Sequence, residues 1–154
     1  MQNKIITALV AGCFLFPYFA IAEIDSISQL KSEIKVNNPD KLLYSISAYQ
    51  DCPVTEDEIS KITHGVLVRS RLRPEKIEGK GAPLYLNITL RCTKPSNGLY
   101  VYSSDVYFAR WEAAPLLIQP NFGTVGDAKK QTIKNMLKES IENAVTVYIA
   151  SNFL

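Results

Sequence analysis

The sequence is poor in the side chains from which most catalytic and metal sites are built. Its 154 residues include one histidine, His64, and three cysteines, with no C-x-x-C pair and neither common glycine-rich phosphate loop. A zinc site would need carboxylates to complete its ligands. The formal charge is only +2, whereas nucleic-acid-binding domains concentrate many more basic residues. We therefore expect no catalytic residue, no cofactor, no metal and no nucleic-acid partner.

Long hydrophobic runs are also scarce, and the exception lies at the amino terminus. Residues 1–22 combine Lys4, an apolar stretch and the small residues Ala20 and Ala22, which is typical of a secretory signal peptide. We predict a signal peptide over 1–22, a single exported domain over 23–154 and no transmembrane span after cleavage. An uncleaved membrane anchor is the alternative.

The leader contains a second motif that would change the location. The sequence V-A-G-C, which ends at Cys13, resembles a bacterial lipobox, in which the cysteine is acylated. The strongly apolar residues 14–19 differ from the polar tether of a lipoprotein, so we favour cleavage before Glu23. The predicted location is the periplasm or the exterior, with an outer-membrane lipoprotein anchored at Cys13 as the alternative.

Cleavage would leave two cysteines, Cys52 and Cys92. In an exported chain such a pair predicts a disulfide. In the chain-entropy model, closing this loop of about 40 residues stabilises the fold by ~4 kcal/mol. A thiolate at Cys52 assisted by His64 is the alternative, and it requires that the bridge is absent.

Three amphipathic segments predict helices. Thr55 and Glu58 have the spacing of a capping box, and Asp127 precedes a long apolar stripe as a candidate N-cap. The predicted helices are Glu23–Val36, a helix from Thr55 to Gly65 or Ser70, and a helix from Asp127 to about Ser151.

Alternation of apolar and polar residues predicts the strands, and is clearest over Leu84–Cys92. The sequence therefore indicates a single α+β domain, with a mainly antiparallel sheet of four to five strands. A long C-terminal helix and one or two shorter helices pack on this sheet. The order of elements resembles that of small bacterial envelope domains such as the amino-terminal domain of the TolB translocation protein, which assigns no functional residue here. The predicted strands are Lys41–Tyr49, Leu84–Cys92, Leu99–Trp111 and Leu116–Gln119, with Val66–Arg73 as a fifth if the second helix ends at Gly65.

Residues 69–80 contain five basic and two acidic side chains. If this stretch is extended, its alternate arginines project from one face, and guanidinium groups suit carboxylates or phosphates. The alternative role is a charged edge strand that prevents aggregation. The candidate surface for an anionic partner consists of Arg69, Arg71, Arg73, Lys76 and Lys80.

A second candidate surface is aromatic. Tyr85, Tyr107 and Trp111 fall on the strand face opposite the main apolar set, where they are either open to a partner or covered by the first helix. We therefore expect a non-enzymatic, exported envelope (periplasmic) domain with a binding, adaptor or assembly-accessory role. Its partner would be another envelope protein or an anionic envelope component. The alternatives are an inhibitor or immunity-type protein that binds a secreted enzyme or toxin, and a hydrolase whose scattered site no motif indicates.

Overall fold

The computed structural model describes residues 29–77, 83–93, 98–111 and 115–154, without the side chains of residues 115 and 116. The predicted leader, with Cys13, and the start of the predicted exported domain lie outside the described residues. The described chain forms a single α+β domain with a mixed, mainly antiparallel sheet, which confirms the predicted fold class. In these ranges no helix combines the length and the apolar character that a membrane span requires.

The sheet has six strands in the described residues, one more than the upper value of the predicted four to five. Its order is β2-β1-β3-β4, and β5 and β6 pair with opposite ends of the far edge of β4. β1 runs parallel to β2 and β3, and the other pairs are antiparallel. Residues 29–33 form the helical segment α1. The remaining elements are β1 (Lys41–Ala48), α2 (Glu56–Arg69), β2 (Arg73–Lys76), β3 (Tyr85–Thr93), β4 (Tyr100–Trp111), β5 (Pro115–Ile118), β6 (Val125–Ala128) and α3 (Lys130–Asn152).

The start of α2 follows the predicted capping box. The Glu58 amide donates to Thr55 Oγ1 over 3.3 Å, and the Thr55 amide donates to Glu58 Oε2 over 3.1 Å. These bonds satisfy two amides that a helix N-terminus otherwise leaves without partners. Of the two predicted ends the later one is found, because Ser70 is the C-cap.

α2 ends in a Schellman motif with an arginine where glycine is usual. The Arg71 amide donates to the Val68 carbonyl and the Leu72 amide to the Leu67 carbonyl, both over 3.0 Å. Both leucines are buried, and Arg71 has a φ of 60°. The left-handed turn redirects the chain from α2 into β2, which becomes an edge strand.

The start of α3 differs from the prediction. Asp127 does not cap this helix; it lies in β6, opposite Val101 of β4. The N-cap is Lys129, whose side chain makes no capping hydrogen bond. Before β6 the chain runs so close to β4 that a Cβ on Gly123 would lie 1.9 Å from the Ser104 carbonyl oxygen. β6 was missed because its pairing with β4 depends on this distant contact and not on local alternation.

The main core lies between one face of the sheet and the helices. α2 and α3 contact each other, α2 contacts β1 and β2, and α3 contacts β4. The described part of the first helix joins the same core through Leu30 and Ile34. The largest fully buried side chains include Tyr148, Phe108, Ile34, Leu42, Ile59, Leu67, Leu86, Ile88, Leu90, Ile118, Ile133 and Leu137.

The predicted disulfide is present in the structure. Cys52 follows β1 and Cys92 lies near the end of β3, with a Cα–Cα distance of 4.9 Å. Both residues pack against the main core. The bridge therefore ties the loop before α2 to the sheet.

Candidate functional site

The three predicted aromatic residues lie together on the sheet face turned away from α2 and α3. Pairing across the sheet aligns Leu43 of β1 with Tyr85 of β3, and Tyr85 with Ala109 of β4. Alternate residues of a strand share a face, so Tyr107 and Trp111 lie on the same side as Ala109. We call the set the aromatic cluster; it consists of Leu43, Ile77, Tyr85, Tyr107, Ala109 and Trp111.

The sequence left open whether these aromatic residues are open to a partner or covered by the first helix. In the structure the burial of the aromatic cluster lies between these two alternatives. Tyr85 is 9% exposed and Ala109 is fully buried, while Tyr107 and Trp111 are half-buried. The described part of the first helix does not cover these rings, since its apolar residues face the main core. Beside the cluster, Leu117 is paired with Ala109 and is 52% exposed. The rings thus bury part of their surface against one another and expose the rest.

Two ion pairs border the aromatic cluster. Lys41 pairs with Glu75 on the β1–β2 edge, and Arg91 pairs with Asp105 between β3 and β4. Each joins a cation to an anion, so neither gives the border a net charge. Burial raises the pKa of Tyr85 and, with the nearby Asp105 carboxylate, that of Tyr107. Both hydroxyls therefore stay protonated near neutral pH and can donate hydrogen bonds.

The structure does not place the predicted basic surface on one extended stretch. Arg69 ends α2 and pairs with Glu142 of α3 over 3.3 Å, Arg71 occupies the Schellman turn, and Arg73 begins β2. The condition for a single extended face is not met, because α2 continues to Arg69 and the turn after it interrupts the period of two. Lys76 ends β2, and Lys80 lies outside the described residues. Whether this stretch binds an anionic partner stays a prediction.

The geometry of β2 favours the alternative role of the basic stretch. β2 is an edge strand, and its sequence R-P-E-K consists of three charged residues and a proline. Proline cannot donate a hydrogen bond to an added strand, and charged side chains discourage sheet-to-sheet pairing.

The alternative of a thiolate at Cys52 assisted by His64 requires a free thiol. In the structure Cys52 is bonded to Cys92 and has none. His64 lies exposed on α2. Across the described ranges, no three His, Cys, Asp or Glu side chains are grouped so that they could hold a metal ion.

A groove of about 570 Å³ at one end of the sheet was not predicted from the sequence. It lies where α1 and α3 end and where β1 and β3 begin, and we call it the cationic groove because Lys35, Lys41 and Arg110 line it. Lys35 and Arg110 are 75 residues apart in the chain. No local pattern could have indicated that these side chains meet.

No protein-family model and no curated protein matches this chain. The solved structures that are similar include two at 12% identity. A PelC dodecamer from Paraburkholderia phytofirmans aligns over 71% of this chain and 86% of its own, with a TM-score of 0.47. The solution structure of uncharacterized lipoprotein B from Nitrosomonas europaea aligns over 75% and 88%, with a TM-score of 0.35. Similarity at this level assigns neither a family nor a function.

Proposed function

We propose that the chain is an exported, non-enzymatic domain that works by binding a protein partner of the cell envelope through the aromatic cluster. The predicted leader and the disulfide support export, since disulfides persist in oxidising compartments. An adaptor or assembly-accessory role fits a domain whose candidate surface binds a partner and carries out no chemical reaction. The periplasm is the proposed location, and lipid attachment at Cys13 is the alternative.

The observation that carries the proposal is the position of the aromatic cluster. Tyr107 and Trp111 are half-buried on a sheet face that α2 and α3 leave open. Tyrosine and tryptophan frequently dominate the energy of protein interfaces, because they bury large areas and also offer a donor group. Tyr85 and Ala109 are the buried members of the cluster, and Tyr107 and Trp111 pack against it.

The border of the aromatic cluster favours a protein over a polyanion as its occupant. A nucleic acid or an anionic membrane requires a field of one sign. Here Lys41 is paired with Glu75 and Arg91 with Asp105. An apolar centre with a polar border of mixed charge is the usual anatomy of a protein–protein interface.

The test is to isolate the protein that co-purifies with the exported chain and to measure its affinity by calorimetry. Tyr107→Ala should weaken binding about thirtyfold or more, because truncating a central aromatic residue at an interface costs about 2 kcal/mol or more. Phe153→Ala is the matched aromatic control, since Phe153 is 46% exposed at the end of α3 and is not part of the cluster. Equal affinities of the Tyr107→Ala variant and the parent would overturn the proposal.

The identity of that partner separates the two non-enzymatic functions. A structural envelope component supports the adaptor role, whereas one tightly bound secreted enzyme or toxin supports the inhibitor or immunity-type role. The mass of the native protein tests its location, since cleavage before Glu23 and diacylation at Cys13 give different masses. A native chain that retains residues 1–22 without modification would contradict the proposed processing.

A further inference from the structure

The cationic groove collects three basic side chains from separate segments. Lys35 follows α1, Lys41 begins β1, and Arg110 lies near the end of β4. The amides of Asn37 and Asn38 line the groove as well, and none of the described residues that line it is acidic. Like charges that converge in a groove repel one another, and a bound anion relieves this repulsion.

The rest of the protein compensates these charges only in part. Lys41 is paired with Glu75. Arg110 donates from Nε to the Glu33 carbonyl over 3.0 Å and from Nη2 to the Lys35 carbonyl over 3.3 Å. Carbonyl oxygens carry only partial charge, so the guanidinium remains a net cation. The Lys35 ammonium group makes no ion pair with any described carboxylate.

The contacts of Arg110 also fix its position before any ligand binds. Its guanidinium bonds the carbonyl of Glu33, the last residue of α1, and that of Lys35 just beyond, where it neutralises part of the negative end of the helix. These bonds use Nε and Nη2 and not Nη1. A fixed guanidinium loses little conformational entropy when a ligand binds, which favours affinity.

The remaining lining of the cationic groove is apolar. Val36, Leu43 and Pro83 contribute accessible aliphatic surface. Leu42, Leu84 and Tyr148 border the groove but are buried, and the Tyr148 hydroxyl donates to the Pro39 carbonyl over 3.1 Å. A volume of about 570 Å³ falls in the range of small-molecule sites. The site thus combines an apolar wall with a cluster of positive charge.

We propose that the cationic groove binds an amphipathic anion, in which a phosphate or carboxylate group is joined to an apolar body. The anionic group contacts Lys35, Lys41 and Arg110, and the apolar body packs against Val36, Leu43 and Pro83. A bare inorganic anion leaves the apolar wall uncovered, and a neutral hydrophobe leaves the cations unpaired. This inference does not depend on protein binding at the aromatic cluster, and either proposal can fail alone.

The experiment titrates the purified protein with octyl phosphate below its micelle concentration and follows amide NMR shifts. Inorganic phosphate and 1-octanol are the matched probes, since each carries one half of the proposed ligand. Octyl phosphate should bind at least tenfold more tightly than either, with its largest shifts at the amides of Val36 and Leu43. Equal binding of 1-octanol, or shifts confined to other regions, would overturn the proposal.

Charge-removing variants test the contacts one at a time. Lys35→Gln and Lys41→Gln should each weaken octyl phosphate binding about threefold, and the double variant about tenfold, as expected for exposed ion pairs. Lys61→Gln on the exposed surface of α2 is the control for loss of one charge and should leave binding unchanged. Arg110 is left intact because it also binds the end of α1. A double variant that binds as tightly as the parent would refute the role of the lysines.

Vesicles distinguish the two sources of such a ligand. The groove binds a lipid headgroup if the protein binds octyl phosphate and also co-sediments with phosphatidylglycerol vesicles but not with phosphatidylcholine vesicles. Binding of octyl phosphate without co-sedimentation assigns it to a soluble amphiphile. If neither probe binds, the proposal is wrong.

Discussion

Glu58 connects the two long helices, and its removal should destabilise the protein in a pH-dependent way. Its carboxylate accepts the Thr55 amide within the capping box of α2. The same carboxylate pairs with Lys130 over 2.9 Å and with Lys134 over 3.6 Å, both on α3. The bond to Lys130, followed by that to the Thr55 amide, lowers the pKa of Glu58 from 4.5 to about 2.

The size of the effect follows from this pKa. A tenfold change in an acid constant equals about 1.4 kcal/mol, so the lowered pKa of Glu58 sets an upper limit of roughly 3 kcal/mol. The side chain is 27% exposed, and solvent screening reduces the contribution to about 1–2 kcal/mol. Because the pKa is lower in the folded state, this stability is present above pH 4.5 and is lost as the pH falls towards 2.

The assay is urea denaturation of the parent and of Glu58→Gln at pH 7, 4 and 2.5. We expect the variant to lose about 1–2 kcal/mol of unfolding free energy at pH 7 and only about a quarter of that at pH 2.5. Asp57→Asn is the matched control: Asp57 is exposed in the same helical turn, and its loss should cost less than about 0.5 kcal/mol. A loss that is equal in both variants, or that does not change with pH, would refute the reasoning.

Three further predictions concern the fold, and each compares urea midpoints with the parent. Arg71→Gly should raise the unfolding free energy by about 0.5–1 kcal/mol, since glycine adopts a φ of 60° without a Cβ clash. A decrease in unfolding free energy would mean that contacts of the arginine side chain contribute more than the strain of the turn costs. Gly123→Ala should cost about 2 kcal/mol or more, because the new Cβ would lie 1.9 Å from the Ser104 carbonyl oxygen; a midpoint like the parent's would contradict that close approach. Reduction of the Cys52–Cys92 bridge should cost about 2–4 kcal/mol, and an unchanged midpoint under reducing conditions would show that the bridge contributes nothing.

Features coded by neighbouring residues could be predicted from the sequence. The capping box needs only Thr55 and Glu58, and the alternation over Leu84–Cys92 reports a strand with one buried face. The structure has β3 over Tyr85–Thr93, displaced by one residue. The predicted disulfide also required only a count of two cysteines in a chain expected to be exported.

Features that depend on distant contacts could not be predicted in this way. The end of α2 was ambiguous because Arg71 adopts a conformation in which glycine is usual, so the sequence left open whether the basic stretch is helical or extended. Asp127 looked like a helix cap, yet pairing with Val101 of β4 draws it into β6. The aromatic residues could be placed on a common face, but how far they bury one another depends on their packing with Ile77 and Leu43.

Of these features, the cationic groove depends most strongly on contacts between residues that are distant in the chain. Lys35, Lys41 and Arg110 meet only because α1 ends where β1 begins and β4 ends. In the sequence these residues lie in three ordinary polar contexts. Their convergence is a property of the tertiary structure alone.

The most direct test of the proposed binding function is site-specific photo-crosslinking in the cell that makes the protein. A photoreactive phenylalanine analogue at position 107 places the probe in the aromatic cluster, and the same analogue at position 61 places it on the exposed surface of α2. We predict one dominant protein crosslink from position 107 and none from position 61. Crosslinks from position 61 with none from position 107 would contradict the assignment of the partner to the open sheet face.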